Sequence, residues 1–70
     1  MTTERDFDKA CNAAPHHIRE DVYAIAWENA WAAETYHEYD TDADRWAAAI
    51  ATAQMILDAP ADYGLDPAAR

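Results

Sequence analysis

PHHIREDVYAIAWENAWAAETYHEY, residues Pro15 to Tyr39, is the stretch that decides the fold. On a wheel of about 100° per residue, Ile18, Val22, Ile25, Asn29, Ala32, Ala33 and Tyr36 fall within one arc. Tyr23, Ala26, Trp27 and Ala30 widen that arc beyond a simple surface stripe, so the segment predicts a helix packed by two neighbours. The other side carries Glu20, Asp21, Glu28, Thr35 and Glu38, with Trp31 among them. Pro15 suits a first helical turn, where its missing N–H costs nothing. Alanines and straight-chain acids offset the mediocre helix propensity of Val, Ile and the aromatics. The expectation is a long central helix over residues 15–39.

Upstream, Thr3-x-x-Asp6 resembles a capping box, and Glu4 and Asp6 fall in a first turn where the helix dipole favours acids. Phe7, Ala10, Cys11 and Ala14 follow at helical spacing, predicting a helix over 3–14 that must dock on the central one, since so short a helix is not stable alone. Ala14-Pro15 supplies the break. Downstream, Asp40-Thr41-Asp42-Ala43-Asp44 is a turn rich in capping residues, and Thr41-x-x-Asp44 again reads as a box. Ala43, Trp46, Ala47, Ile50, Ala53 and Leu57, broadened by Ala49 and Ile56, predict a third helix over 42–58, stopped by Asp58-Ala59-Pro60. The tail, 59–70, reads as irregular, with Tyr63 and Leu65 pinning it to the bundle. The fold class expected is therefore all-α: one domain over 1–70, a small three-helix bundle with a long central helix and an irregular C-terminal tail.

Composition bounds the function. Hydrophobic residues make up 51% of the chain, too many for disorder. Eighteen of the 70 residues are alanine, however, so the core relies on few large side chains. Such a chain buries only roughly 60% of its unfolded surface, and a deep enzyme cleft would compete with the core. The net charge of −9 repels nucleic acid and anionic membranes and attracts basic surfaces. The lone Cys11 fits a reducing cytoplasm, and MTTERDFDKACNAA lacks the basic and apolar regions of a signal peptide. No apolar run approaches the roughly 20 residues that span a bilayer.

The candidate chemical motifs fall short. Glu34-x-x-His37 matches half of a di-iron helical motif, which needs a second such pair and two further carboxylates. Asp40-x-Asp42-x-Asp44 imitates the opening of a calcium-binding loop, but Arg45 stands where Gly is needed and Ala51 where Glu is needed. Helix capping accounts for those acids better. His17 and Asp21 lie one turn apart, and two ligands on an exposed turn hold transition metals weakly. Cys11, on an apolar stripe, reads as a small buried hydrophobe. The expectation is a non-enzyme without metal or cofactor.

The acids remain as the strongest signal. Glu34, Glu38, Asp40, Asp42 and Asp44 crowd the expected end of the second helix and the following turn, with Arg45 as the nearby base. Glu at a helix C-terminus opposes the dipole, and carboxylates one turn apart are about 5–6 Å apart at Cβ, similar to neighbouring phosphates on a nucleic-acid strand. A generic solvated face, or adaptation to high salt, would also give many acids and a single lysine. Glu28 and Asp21 extend the acidic face, and Trp31, flanked by Glu28 and Glu34, is a candidate anchor for a partner unless the third helix covers it.

The whole-chain acidity and the clusters Glu20-Asp21, Glu34 to Asp44, and Asp58, Asp62, Asp66 resemble the acidic DNA-mimic inhibitors of bacteriophages and mobile elements. The size and character are most similar to small anti-CRISPR proteins directed at type I effector complexes. That resemblance implies a protein of the bacterial host cytoplasm whose carboxylates occupy a positively charged DNA-binding channel, such as the subunit that reads the protospacer-adjacent motif. The partner expected is a basic DNA-binding protein or CRISPR effector subunit. The site residues expected are Glu34, Glu38, Asp40, Asp42, Asp44, Glu28, Asp21 and Trp31. The alternative is a non-catalytic adaptor or homodimerising module that pairs through an exposed tryptophan face.

A net charge of −9 on 70 residues makes self-repulsion the first thing to measure. Raising salt from low to moderate concentration should raise the melting temperature, because like charges are screened. A flat melting temperature would remove self-repulsion as a factor in this fold.

Overall fold

The computed structural model describes residues 2–32 and 36–66, and these form a bundle of three α-helices without a strand. Helix α1 runs Glu4–Cys11, α2 runs Arg19–Trp31, and α3 runs Asp42–Asp58. Short 3-10 turns, His16–Ile18, Tyr36–Glu38 and Pro60–Tyr63, flank them. The first and last boundaries follow from capping. The backbone N–H of Thr3 donates to the Asp6 carboxylate at 3.0 Å, and Thr41 Oγ1 accepts from the Asp44 N–H at 3.2 Å. After Cys11 the chain tightens into i+3 bonds, Ala13 N–H to Ala10 O and Ala14 N–H to Cys11 O, so the α-helix ends three residues before position 14.

The long central helix expected over 15–39 is instead three pieces. Pro15, at ψ 140°, precedes a 3-10 turn rather than opening the α-helix. At the other end Ala32 is extended, at ψ 150°, and closes α2. Residues 33–35 lie outside the described part, and the chain resumes as the turn Tyr36–Glu38. The sequence offers the reason. Thr35, Tyr36, His37 and Tyr39 are poor helix formers, and Glu34 and Glu38, at i and i+4, repel each other. The longest helix is therefore α3, with 17 residues against 13 for α2.

The core is narrow and built largely of small side chains. Ile18, Val22, Ala26 and Ala30 form one i, i+4 row on the α2 side, and Ala49, Ala53 and Ile56 face inward from α3. All four of those α-helical alanines are fully buried, so the centre of the packing between α2 and α3 is lined by small side chains, with Trp31 and Trp46 in contact beyond it. Phe7, Cys11 and Ala14 close the core from the α1 side. The row is rotated from the expected stripe. Asn29 is exposed and donates through Nδ2 to Thr52 Oγ1 at 2.8 Å, tying α2 to α3 at the rim. Ala47 likewise faces solvent.

The large anchors are aromatic and form one connected series. Tyr23 and Phe7 have ring centroids 4.8 Å apart, Phe7 and Trp46 5.5 Å, Trp46 and Trp31 4.8 Å, and Trp31 and Trp27 6.3 Å. Trp46 is half-buried and packs on the core from α3, and Ile25, Ile50 and Leu57 fill in around it. The described part of the tail, residues 59–66, contains the 3-10 turn Pro60–Tyr63. Gly64 takes a left-handed conformation at φ 76°, which lets the N–H of Leu65 return to Pro60 O at 3.1 Å. Tyr63 and Leu65 then pack against the core, and His17 Nε2 lies 2.7 Å from Asp66 O.

Phe7, fully buried, is the α1 side chain in contact with aromatics of both other helices. Phe7→Ala should cost about 3–5 kcal/mol, against a total stability for this size of about 4–10 kcal/mol. Thermal unfolding followed by circular dichroism should lose most of its cooperativity. A melt within a few degrees of wild type would rule out this central role for Phe7.

Candidate partner-binding surface

The acidic segment is assembled around a buried base. Arg45, on the first turns of α3, is only 6% exposed. Its Nη1 is 2.8 Å from Asp42 Oδ1, and its Nη2 donates to Tyr39 O at 3.2 Å. The guanidinium carbon also lies 5.4 Å from the centre of the Trp31 ring. One side chain thus fastens the turn after α2, the start of α3 and the last residue of α2. The expected base near the acids is there, paired with Asp42, and it is buried as well. Its place was legible on the wheel, since Arg45, Ala49 and Ala53 share one i, i+4 row.

Around this tie the carboxylates stay in water. Glu38 and Asp40, on the connecting turn, are exposed, as are Asp42 and Asp44 in the first turn of α3. The latter two are favoured there by the helix dipole, and Asp42 is paired with Arg45, so both have structural duties. Glu38 belongs to a separate 3-10 turn, so the expected conflict with the α2 dipole does not arise for it. Glu28 and Asp21 are exposed on α2, with Asp21 in its first turn. Glu34 lies outside the described residues. Trp31 is half-buried, its ring engaged by Trp46, Trp27 and Arg45, whereas Trp27 is the exposed indole of the pair.

Charge is sorted between inside and outside. Every carboxylate among the described residues is exposed. Arg19 and Arg45, by contrast, are turned to internal tasks. Arg19 donates through Nη2 to Asn12 O at 3.1 Å and Ala14 O at 3.0 Å, capping the end of α1 with a positive charge where the dipole is negative. Among the described residues only Arg5 and Lys9 are left as exposed arginine or lysine. Among the described bases, Arg45 alone is buried, and Arg19 is half-buried.

A second feature is an open groove of about 510 Å³ between α1 and the start of α2, lined by Asp8, Cys11, His16, Arg19, Glu20 and Tyr23. Burial, and then the negative charge of Asp8, pushes the Cys11 thiol up to about 11, so it stays protonated and is a poor nucleophile. The Tyr23 hydroxyl is raised from its ordinary value by burial first, then by Asp8, Glu4 and Cys11. His17 is engaged with the tail carbonyl of Asp66. No group of three His, Cys, Asp or Glu among the described residues is arranged to hold a metal ion, and no helix there is long and apolar enough to cross a membrane. Comparison with protein-family models, curated proteins and solved structures returns no match for this chain.

Arg45→Ala should destabilise the fold by about 1–3 kcal/mol, chiefly by leaving a sheltered carbonyl without its donor. Asp42→Asn should cost under about 1 kcal/mol, because its carboxylate is largely solvated. Chemical denaturation of both variants orders the two effects. A larger loss from Asp42→Asn would mean that the ion pair, not the backbone tie, holds the turn.

Proposed function

We propose that this protein is an acidic DNA mimic that binds the positively charged DNA-binding surface of a protein partner and blocks DNA recognition. The observation that supports this reading is the sorting of charge: the described carboxylates are all exposed, whereas Arg19 and Arg45 are drawn into the fold. A groove that neutralises phosphates with Lys and Arg gains its affinity by releasing counterions, and a fixed array of carboxylates can take the place of those phosphates. Glu38, Asp40 and Asp44 are the core of that array, with Glu34, Asp42, Glu28 and Asp21 extending it. The protein acts by occupancy, without catalysis, metal or cofactor. The partner class is a basic DNA-binding protein of a bacterial cytoplasm, and a type I CRISPR effector subunit is the example that the sequence resemblance names.

The exposure of Trp27 and Met55 favours a second reading, an adaptor or homodimer that pairs through apolar side chains. Salt separates the two, since ionic mimicry weakens steeply as salt rises and apolar pairing does not.

Replacing Glu38, Asp40 and Asp44 by their amides removes three charges while sparing Asp42 and its bond to Arg45. The triple variant should melt within a few degrees of wild type, relief of self-repulsion offsetting the lost charge of Asp44 at the start of α3. Tagged wild-type protein should retain its partner from bacterial lysate at low salt and release it to competing duplex DNA, and the triple amide should retain much less. Equal retention by the amide variant, together with no competition by DNA, would end the mimicry reading.

A further inference from the structure

Trp27 and Trp31 stand one helical turn apart on α2, their rings inclined by only 13° with centroids 6.3 Å apart. Trp31 already receives a guanidinium, that of Arg45, at 5.4 Å. Trp27 is 41% exposed, an unusual setting for an indole on a helix. Exposed helical positions favour Ala, Glu, Lys or Gln by propensity, so the fold alone does not account for tryptophan here. Glu28 adjoins it in the chain and is exposed, as is every other carboxylate among the described residues, so a partner approaching Trp27 meets an acidic molecule.

We propose that Trp27 is the specificity anchor of the binding surface, receiving an arginine side chain of a basic protein partner on its indole beside the neighbouring carboxylates. The inference deepens the reading above and rests on it in taking the partner's surface to be basic. A guanidinium is planar and weakly hydrated, so it stacks on an aromatic face while its edge remains free for carboxylates, whereas an ammonium gives up more hydration to do so. Within the fold, Arg45 already makes both contacts, with the Trp31 ring and with Asp42. On the surface Trp27 offers the ring, Glu28 and the wider acidic field offer the charge, and the partner brings the guanidinium. The carboxylate array sets the strength of attraction, and Trp27 makes the surface prefer arginine over lysine.

The experiment titrates labelled oligo-arginine and oligo-lysine peptides of equal length into wild-type protein, Trp27→Leu, and the Glu38, Asp40, Asp44 triple amide. Wild type should bind the arginine peptide more tightly, and Trp27→Leu should reduce that preference by about two- to fivefold, the size of an exposed cation–aromatic contact. Affinity for the lysine peptide should hardly change in Trp27→Leu, and Trp27→Tyr should keep part of the preference. The triple amide should weaken both peptides and preserve their ratio. An arginine preference as large in Trp27→Leu as in wild type overturns the anchor alone. Undiminished affinities in the triple amide overturn the acidic-array reading alone, and no binding of either peptide to wild type overturns both. Circular dichroism establishes that Trp27→Leu retains the fold.

Discussion

Phe7 has no exposed surface, and its ring lies 4.8 Å from Tyr23 and 5.5 Å from Trp46, so one α1 side chain is packed against both other helices. The weight of that contact comes from what surrounds it. Four of the six buried hydrophobic residues of α2 and α3 are alanine, and each covers little area. A large aromatic buries about 150–250 Å² and adds favourable ring geometry. With helices this short, none stable by itself, the aromatic contacts Tyr23–Phe7–Trp46–Trp31 are what turn three marginal segments into one cooperative unit.

The bases are used in the same economical way. A −9 chain can spare few cations, yet two of them, the buried Arg45 and the half-buried Arg19, are engaged with backbone carbonyls. Arg19 satisfies carbonyls at the end of α1, and Arg45 satisfies the Tyr39 carbonyl in the connection between α2 and α3. Each task needs several donors in a plane, which a guanidinium has and an ammonium lacks. Fold maintenance and surface polarity are therefore coupled: the more arginine the joints require, the more negative the exterior becomes.

Much of this was legible in the residues. Thr3 and Thr41 marked the starts of α1 and α3, and Asp58-Ala59-Pro60 marked the end of α3, because capping chemistry is local. Phe7, Cys11, Val22 and Ile56 were legible as packing residues from periodicity, and Tyr63 as an apolar anchor of the tail. The end of α2 was not. Apolar spacing runs smoothly through Ala32, Ala33 and Tyr36, and the wheel cannot register a backbone that turns extended so that α3 can fold back. The pairing of Arg45 with the acids was legible, but its burial was not drawn from its row with Ala49 and Ala53, which pointed inward. The candidate surface was legible as composition, whereas the exposure of Trp27 rather than Trp31 depended on where α3 and Trp46 came to rest.

The alanine seam between α2 and α3 has a consequence for how such a protein could change over generations. Ala26, Ala30, Ala49 and Ala53 leave no room for larger side chains, so those positions are fixed in volume by the closeness of the two helices. Most of the exposed carboxylates, Asp42 aside, make no comparable contribution to packing. Lineages would therefore be free to redraw the charge pattern one residue at a time, while the buried alanines and the aromatic series stay unaltered beneath it. The outside of such a scaffold can drift while its inside cannot, whatever surface the outside meets.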